Sequence, residues 1–553
     1  MRPAILCLLC IIFLCNCNQQ IQEAAKTKAP FVWENANIYF LLTDRFYNGD
    51  SSNDLNFERS DSTAVLRGMM GGDIKGITQK IKEGYFTDLG VNAIWFTPVV
   101  EQNHGLVDEG TGATYPYHGY WAQDWTALDP NFGTEDDLAE LVETAHQNDI
   151  RILIDVVINH TGPVTDKDPV WPIEWVRTEP HCEYTNYENT VSCTLVKNLP
   201  DVKTESDETV ELPASLKAKW ESEGRLEQEI AELDDFFQKT GRPRAPRFYI
   251  MKWLIDFIKK YGVDGFRVDT AKHTEETVWK ELKEEADKAF AAWKMANPEK
   301  VLDDNDFYMV GEVYNYNIGT GPLFDMGDQK VNFFENGLTS LINFGFKEHG
   351  NYVYDSIFTN YSKSLNGPLK GKSVVNYISS HDDSSPFDKE RQKPFESATK
   401  LLLCPGATQI YYGDETARPL IHEGANGDAN LRTFMNWDEL ENNAAKGEYT
   451  VQEVLQHWQK LGKFRNSHPS VGAGTHQVIS ENPYYFTRTY QKGEFNDKIV
   501  VGLDLPSGQK KVPVSDLFED GERLTDHYSG IEVEVDGGEI LIDTPFSLVL
   551  LGK

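Results

Sequence analysis

At 553 residues the chain is long enough for about three domains, or for one large barrel with attachments. Hydrophobic residues make up 40% and aromatics 12%, which supplies a core and ring-stacking surfaces and excludes a mainly disordered chain. With 87 acidic against 53 basic side chains the net charge is −34, which excludes nucleic acid and anionic membrane surfaces as partners but not a neutral polymer or a cation.

The first element reads as an export signal. Arg2 supplies a positive flank, Ala4 to Leu14 (AILCLLCIIFL) is an apolar stretch, and polar Asn16 to Lys28 follows. The stretch is shorter than the roughly 20 residues of a membrane-spanning helix. Leu14 stands three residues before Cys17, similar to a bacterial lipoprotein signal in a relaxed form, because neither Cys15 nor Cys17 follows a small residue. Residues 1–17 are therefore expected to be the signal, with Cys17 lipidated. A lipid would tether the product to the cell envelope, at the outer membrane or cell surface; without it the product is periplasmic or secreted.

Four of the seven cysteines fall in this segment. Of the other three, Cys182 and Cys193 could close a short surface loop in an oxidising compartment. Cys404, in LLLCPGA, reads as a buried, inert thiol. No Cys/His spacing suggests a zinc site.

Eight short apolar, β-rich runs follow: 38–44, 91–96, 151–157, 265–269, 307–312, 339–344, 374–379 and 408–413. Such near-continuous runs suit parallel strands buried on both faces. Helical patterns lie between them, the clearest being Ile250, Trp253, Leu254, Phe257, Ile258 and Tyr261 at i, i+3, i+4, i+7 spacing. Strand–helix alternation repeated eight times predicts an α/β fold, a (β/α)8 barrel over residues 31–160 and 247–470. The third and fourth runs lie too far apart for one crossover helix, so residues 161–246 read as an inserted domain with a charged helix over 216–239. A last helix is expected near 451–466. Residues 471–553 then alternate as KIVVGLDL, IEVEVDG and FSLVLLGK between Gly, Asp and Pro turns, which predicts a C-terminal antiparallel sandwich.

In such barrels the chemistry sits at the C-terminal ends of strands. Three carboxylates occupy such ends: Asp269 in GFRVDTAKH, Glu312 in YMVGEVY and Asp382 in YISSHD. Cleaving a glycosidic bond with retention needs one carboxylate at the anomeric carbon and one acid beside the leaving oxygen, roughly 5–5.5 Å apart. Arg267, two residues before Asp269, leaves the same face of its strand and keeps that carboxylate ionised and oriented. Whichever carboxyl is the acid must hold its proton until it donates, which calls for a raised pKa.

Those contexts carry a resemblance. DVVINH (155–160), GFRVDTAKH (265–273), GEVY (311–314) and SSHD (379–382) resemble the four core motifs of the α-amylase family of glycoside hydrolases. LPDV (199–202), GGDIKGI (71–77) and GATQIYYGDE (406–415) resemble its accessory motifs, and 247–283 is similar to exported α-amylases of Gram-negative bacteria. The resemblance implies that Asp269 is the nucleophile, Glu312 the acid/base and Asp382 the stabiliser of the transition state. In YHGYW (117–121), it makes Tyr120 a stacking platform, with His118 and Trp121 in the same motif. It makes His160 and His381 hydroxyl-binding histidines, and sets Lys272 and His273 beside the leaving-group side, as in α-1,4-acting members.

The segment after DRF also resembles a calcium loop of cyclodextrin-forming relatives, with Asn48, Asp50, Asn53, Asp54, the Gly71 carbonyl and Asp73 as ligands; mixed oxygen donors of this kind suit calcium. A second calcium is implied at Asn159, Asp201 and the His273 carbonyl, although Val191 stands where a further acidic ligand is expected. Both ions would be structural. The reading is a monomeric α-1,4-glucan hydrolase acting on starch, glycogen or maltooligosaccharides. A transglycosylase of the cyclodextrin-forming type is the alternative, and an inactive glucan-binding barrel a third.

Overall fold

A computed structural model describes residues 29–553 apart from 109 and 515–516. The signal reading, with Cys15 and Cys17, lies outside the described residues. No helix among the described residues is long and apolar enough to cross a membrane.

Eight parallel strands close into a barrel: β1 (Asn37–Leu41), β2 (Ala93–Phe96), β3 (Arg151–Val156), β4 (Gly265–Val268), β5 (Tyr308–Gly311), β6 (Ser340–Asn343), β7 (Ser373–Asn376) and β8 (Ala407–Tyr411). Each coincides with an apolar run, because every residue in these strands is buried and an apolar face is needed on both sides. β1 pairs with both β2 and β8, so no barrel edge is left open.

Helices cover the strands, and their ends follow from local chemistry. Thr134 caps Glu135–Gln147 in a capping box with Asp137. Pro246 starts the helix Pro246–Tyr261, which buries Ile250, Trp253, Leu254 and Ile258. That helix stops at Gly262 (φ 73°), where a Cβ would come 2.1 Å from the Trp293 ring.

Two expectations need correction, and one element lies outside them. The connection from β5 to β6 carries no α-helix; a 3₁₀ turn (Ile318–Thr320) and a small ribbon (Phe324–Asp325 with Lys330–Val331) replace it. The charged helix of the insert is two helices, Ala214–Ser222 and Leu226–Thr240, separated at Gly224, whose φ of 74° no helix interior adopts. A further ribbon, Val100–Gln102 with Ala122–Leu128, rises after β2 and was not foreseen.

The C-terminal region is a six-stranded antiparallel sheet with a two-stranded ribbon (Gly508–Pro513 with Glu539–Thr544). Alternation sorts its residues. Tyr485, Val500 and Leu551 pack with Val512, Ile540 and Ile542 of the ribbon, whereas Phe486, Val501 and Leu550 join the barrel's own core.

Candidate active site

Backbone hydrogen bonds carry the parallel ladder one residue past the ends of β4 and β5. The Asp269 N–H donates to the Val156 carbonyl (3.0 Å) and the Glu312 N–H to the Val268 carbonyl (2.9 Å). Both carboxylates are thereby fixed at the C-terminal rim. Arg267 sits in register with Asp155 of β3 and Val310 of β5. Its guanidinium, 1% exposed, reaches Asp269 Oδ1 (2.6 Å) and Asp155 Oδ1 (3.0 Å) with Nη1 and Glu312 Oε2 (3.0 Å) with Nη2. The Thr270 N–H donates to the same Glu312 oxygen at 2.9 Å. One guanidinium joining both rim carboxyls is compatible with the short spacing, roughly 5–5.5 Å, of retaining chemistry.

Three buried carboxyls share this one cation, and desolvation dominates their acidity. Burial pushes Glu312 up to about 8; Asp269 and Asp382 add to the rise, while Arg267 and the Thr270 N–H oppose it. Burial also raises Asp269 and Asp155 to about 6 each, with Arg267 pulling both down. Near pH 7 the pair is therefore an ionised Asp269 beside a protonated Glu312, a division of labour between acid and nucleophile. The pH profile of kcat/KM should be a bell, with an acid limb near pH 6 from Asp269 and an alkaline limb near pH 8 from Glu312. A profile that stays flat across both limbs would contradict this assignment.

Tyr120 is anchored from below, its hydroxyl donating to Asp155 Oδ2 (2.8 Å), which also accepts from Trp95 Nε1 (2.9 Å). Its ring lies nearly parallel to that of His381, at 5.3 Å and 18°. His118 Nδ1 accepts from the Tyr120 N–H (3.1 Å), and His160 Nε2 lies 3.1 Å from the Tyr120 carbonyl. Burial drives His160 down to about 4 and holds His118 and His381 well below the usual range, so these imidazoles are neutral, directional hydrogen-bonding groups. Trp121 differs from its motif neighbours: it packs with Val107 and Leu199, edge-on to His118, and supports that ring from behind.

Asp382 stands more open, its side chain 41% exposed, with His381 Nε2 3.9 Å away. Lys272 lies among the rings of Tyr314 (5.4 Å), Phe324 (5.7 Å) and Tyr184 (5.8 Å), and burial lowers its pKa. Tyr184 belongs to the loop closed by the Cys182–Cys193 disulfide, and its ring meets that of His273 at 5.6 Å. Cys404 is buried and free.

Sequence reasoning missed Asp155, which unites the platform with the guanidinium. A lone carboxylate in the otherwise apolar ILIDVV (152–157) is the signal that marks it, since a charge buried in a strand needs partners.

Among the described residues no three His, Cys, Asp or Glu side chains are grouped to hold a metal. The loop at 48–73 instead offers mixed oxygens. Asn48 Nδ2 donates to Asp54 Oδ1 (2.8 Å), Asn53 Nδ2 faces Asp73 Oδ2 (3.4 Å), and Asn53 Oδ1 is buried without a hydrogen-bond partner. At Gly71 (φ 86°) a Cβ would come 2.6 Å from both Asp54 Oδ1 and Asn48 Nδ2, so only glycine lets the backbone approach these side chains so closely. The Asp50 carboxylate turns away to Lys75 (2.5 Å), leaving that residue only main-chain groups to offer. Elsewhere, Asn159 Nδ2 donates to Asp201 Oδ1 (3.0 Å) and to the His273 carbonyl (2.8 Å), while Arg177 Nε pairs with Asp201 Oδ2 at 2.9 Å.

Comparison with known proteins agrees with this fold. The periplasmic α-amylase of Escherichia coli (strain K12) is 35% identical over 536 residues, covering 86% of this chain and 73% of that protein. A cyclomaltodextrin glucanotransferase of Thermoanaerobacterium thermosulfurigenes is 26% identical, covering 82% of this chain and 58% of its own length. The crystal structure of an Anoxybacillus α-amylase superposes with a TM-score of 0.64 at 22% identity, covering 95% of this chain and 99% of that one. The model of the α-amylase catalytic domain matches residues 40–474, and the chain belongs to that family.

Proposed function

We propose that the protein is an exported α-amylase that cuts α-1,4 bonds within starch, glycogen or maltodextrins, with retention and through a covalent glycosyl-enzyme. The observation that carries this reading is Arg267 joining Asp269 and Glu312 at the barrel rim. Asp269 attacks the anomeric carbon as Glu312 gives its proton to the leaving oxygen; Glu312 then takes a proton from the incoming water, which displaces Asp269. Tyr120 presents an aromatic face to the sugar, and His160 and His381 bind its hydroxyls. The presence of all three carboxylates, Arg267 and both histidines argues against an inactive barrel.

The second reading is transfer to another sugar. It draws on the cyclomaltodextrin glucanotransferase similarity and on the rings around Lys272, which give an acceptor sugar a surface to rest on. Digestion of soluble starch decides between them: linear reducing oligosaccharides are expected, and predominantly cyclic products would reverse the choice. Export is supported by the N-terminal apolar stretch and by the similarity to a periplasmic enzyme, and lipidation of Cys17 is proposed with it. Mass analysis of the mature protein tests the lipid.

Calcium is proposed at the 48–73 loop, held by Asn48, Asn53, Asp54, Asp73 and the Gly71 carbonyl. There it would neutralise Asp54 and Asp73 and satisfy the unpartnered Asn53 oxygen. Chelation is expected to lower the melting temperature by a few degrees, about 2–3 kcal/mol of linkage at saturating ion, reversed by added calcium. An unchanged melting curve would remove the proposal. A second ion at Asn159, Asp201 and the His273 carbonyl must share Asp201 with Arg177; metal analysis, one ion against two per chain, separates these cases.

A further inference from the structure

The rim segment that displays Asp382 leaves β7 and closes on itself where the Phe387 N–H donates to the Ile378 carbonyl (2.9 Å). Two clamps act on it. On one side Arg432 Nε donates to the His381 carbonyl (2.8 Å), and Arg432 is itself held by Asp428 (2.6 Å). On the other side, immediately after Asp382, Asp383 turns inward. Its side chain is only 9% exposed, one oxygen accepts from the Tyr377 hydroxyl (2.7 Å) and pairs with Lys347, and the other accepts from the Ser385 N–H (3.0 Å). Lys347 sits on the short helix Phe346–His349 after β6, and Tyr377 directly follows β7. Adjacent residues thus split in role: Asp383 is buried and paired with Lys347, whereas Asp382 is open and its one ion-pair contact within 4 Å is His381 Nε2 at 3.9 Å.

We infer that Asp383, held by Lys347 and Tyr377, is a positioning residue that sets where Asp382 meets the sugar. Two physical consequences lead there. A buried ion pair with a third hydrogen bond fixes its backbone far more tightly than the exposed neighbour could fix itself. Lys347 also neutralises the Asp383 charge, so Asp382 is the one uncompensated carboxylate of this pair presented to positive charge growing on the sugar ring. The inference rests on the proposed hydrolysis, but part of its test does not.

Tyr377→Phe removes one hydroxyl and Lys347→Met one charge. Each should lower kcat on maltooligosaccharides by about 10–100-fold with KM changed less than about threefold, because transition-state contact is lost and ground-state binding is kept. Lys347→Arg should rescue most of the Lys347→Met loss. Adding Asp383→Asn to Lys347→Met should recover stability, since the unpaired buried charge disappears, but not kcat, since the pair that places Asp382 is still missing. Should Lys347→Met fail to fold, Tyr377→Phe carries the test alone. Crystal structures of parent and Tyr377→Phe should differ in the place of the Asp382 carboxylate, whatever the substrate. An unmoved Asp382, or kcat within twofold of a parent that turns over starch, overturns the inference. A parent without turnover, with Asp382 displaced in the variant, instead overturns the proposed hydrolysis.

Discussion

Asp269→Asn and Glu312→Gln are each expected to lower kcat on starch by about 10⁴-fold or more while leaving the fold intact. Asn cannot form the glycosyl ester, and Gln has no proton to give. Both replacements are close to isosteric, and the backbone bonds that place these residues, to Val156 and Val268, do not involve the side chains. Glu312→Gln carries a second, opposite expectation. Burial raises the folded-state pKa of Glu312 to about 8, above its unfolded value, so the native state binds a proton that the unfolded chain has released at neutral pH. Stability from this group is present at low pH and is lost as pH rises through that window. Gln never ionises, so the inactive variant should be more stable than the parent at pH 7, by on the order of 1–3 kcal/mol, and the gain should vanish toward pH 4. Ordinary turnover by either variant, or a Glu312→Gln protein that melts lower at neutral pH, would sink the assignment.

Arg267→Lys is expected to fail on both counts. Its guanidinium, itself 1% exposed, forks between Nη1, which serves Asp269 and Asp155, and Nη2, which serves Glu312. A lysine ammonium is a point charge on a flexible stem and cannot span three partners. Leaving buried carboxylates uncompensated costs about 3–5 kcal/mol. The variant should unfold at lower denaturant, with kcat down by about 10³-fold. Adding Asp155→Asn removes one orphaned charge and should return part of the stability, but not the activity. Parent-like unfolding of Arg267→Lys would show that the cluster is solvated rather than paired.

Much of this site was legible because its positions follow strand ends, and the strands announce themselves by being apolar on both faces. β6 is an instructive case: TSLINF is the least patterned of the runs, yet Ser340–Asn343 is a full barrel strand. Ser340 and Asn343 are buried polar residues there, and Asn343 Nδ2 is satisfied across the sheet by Asn376 Oδ1 (2.8 Å), a pairing that no local pattern reveals. The same limit hid Lys347 and Asp383, which come from different loops. Gly224 could have been read as a break between the insert helices, since a mid-helix glycine costs about 1 kcal/mol and often ends a turn. The resemblance to a calcium loop sets Asp50 among the other loop oxygens, and only geometry separates it, through Lys75.

The C-terminal sheet is joined to the barrel by more than a linker. Arg488 donates to the carbonyl of Leu403 (2.6 Å), on the approach to β8, and to that of Val471. Phe358 and Phe486 meet edge to face at 5.5 Å across the same seam. A gene shortened to its catalytic barrel would therefore yield a protein with an apolar wall laid bare and the last stave of the barrel unmoored. Heat should melt the two parts in one calorimetric event, and the enzyme's working life at high temperature is set as much by the tail as by the barrel that does the chemistry.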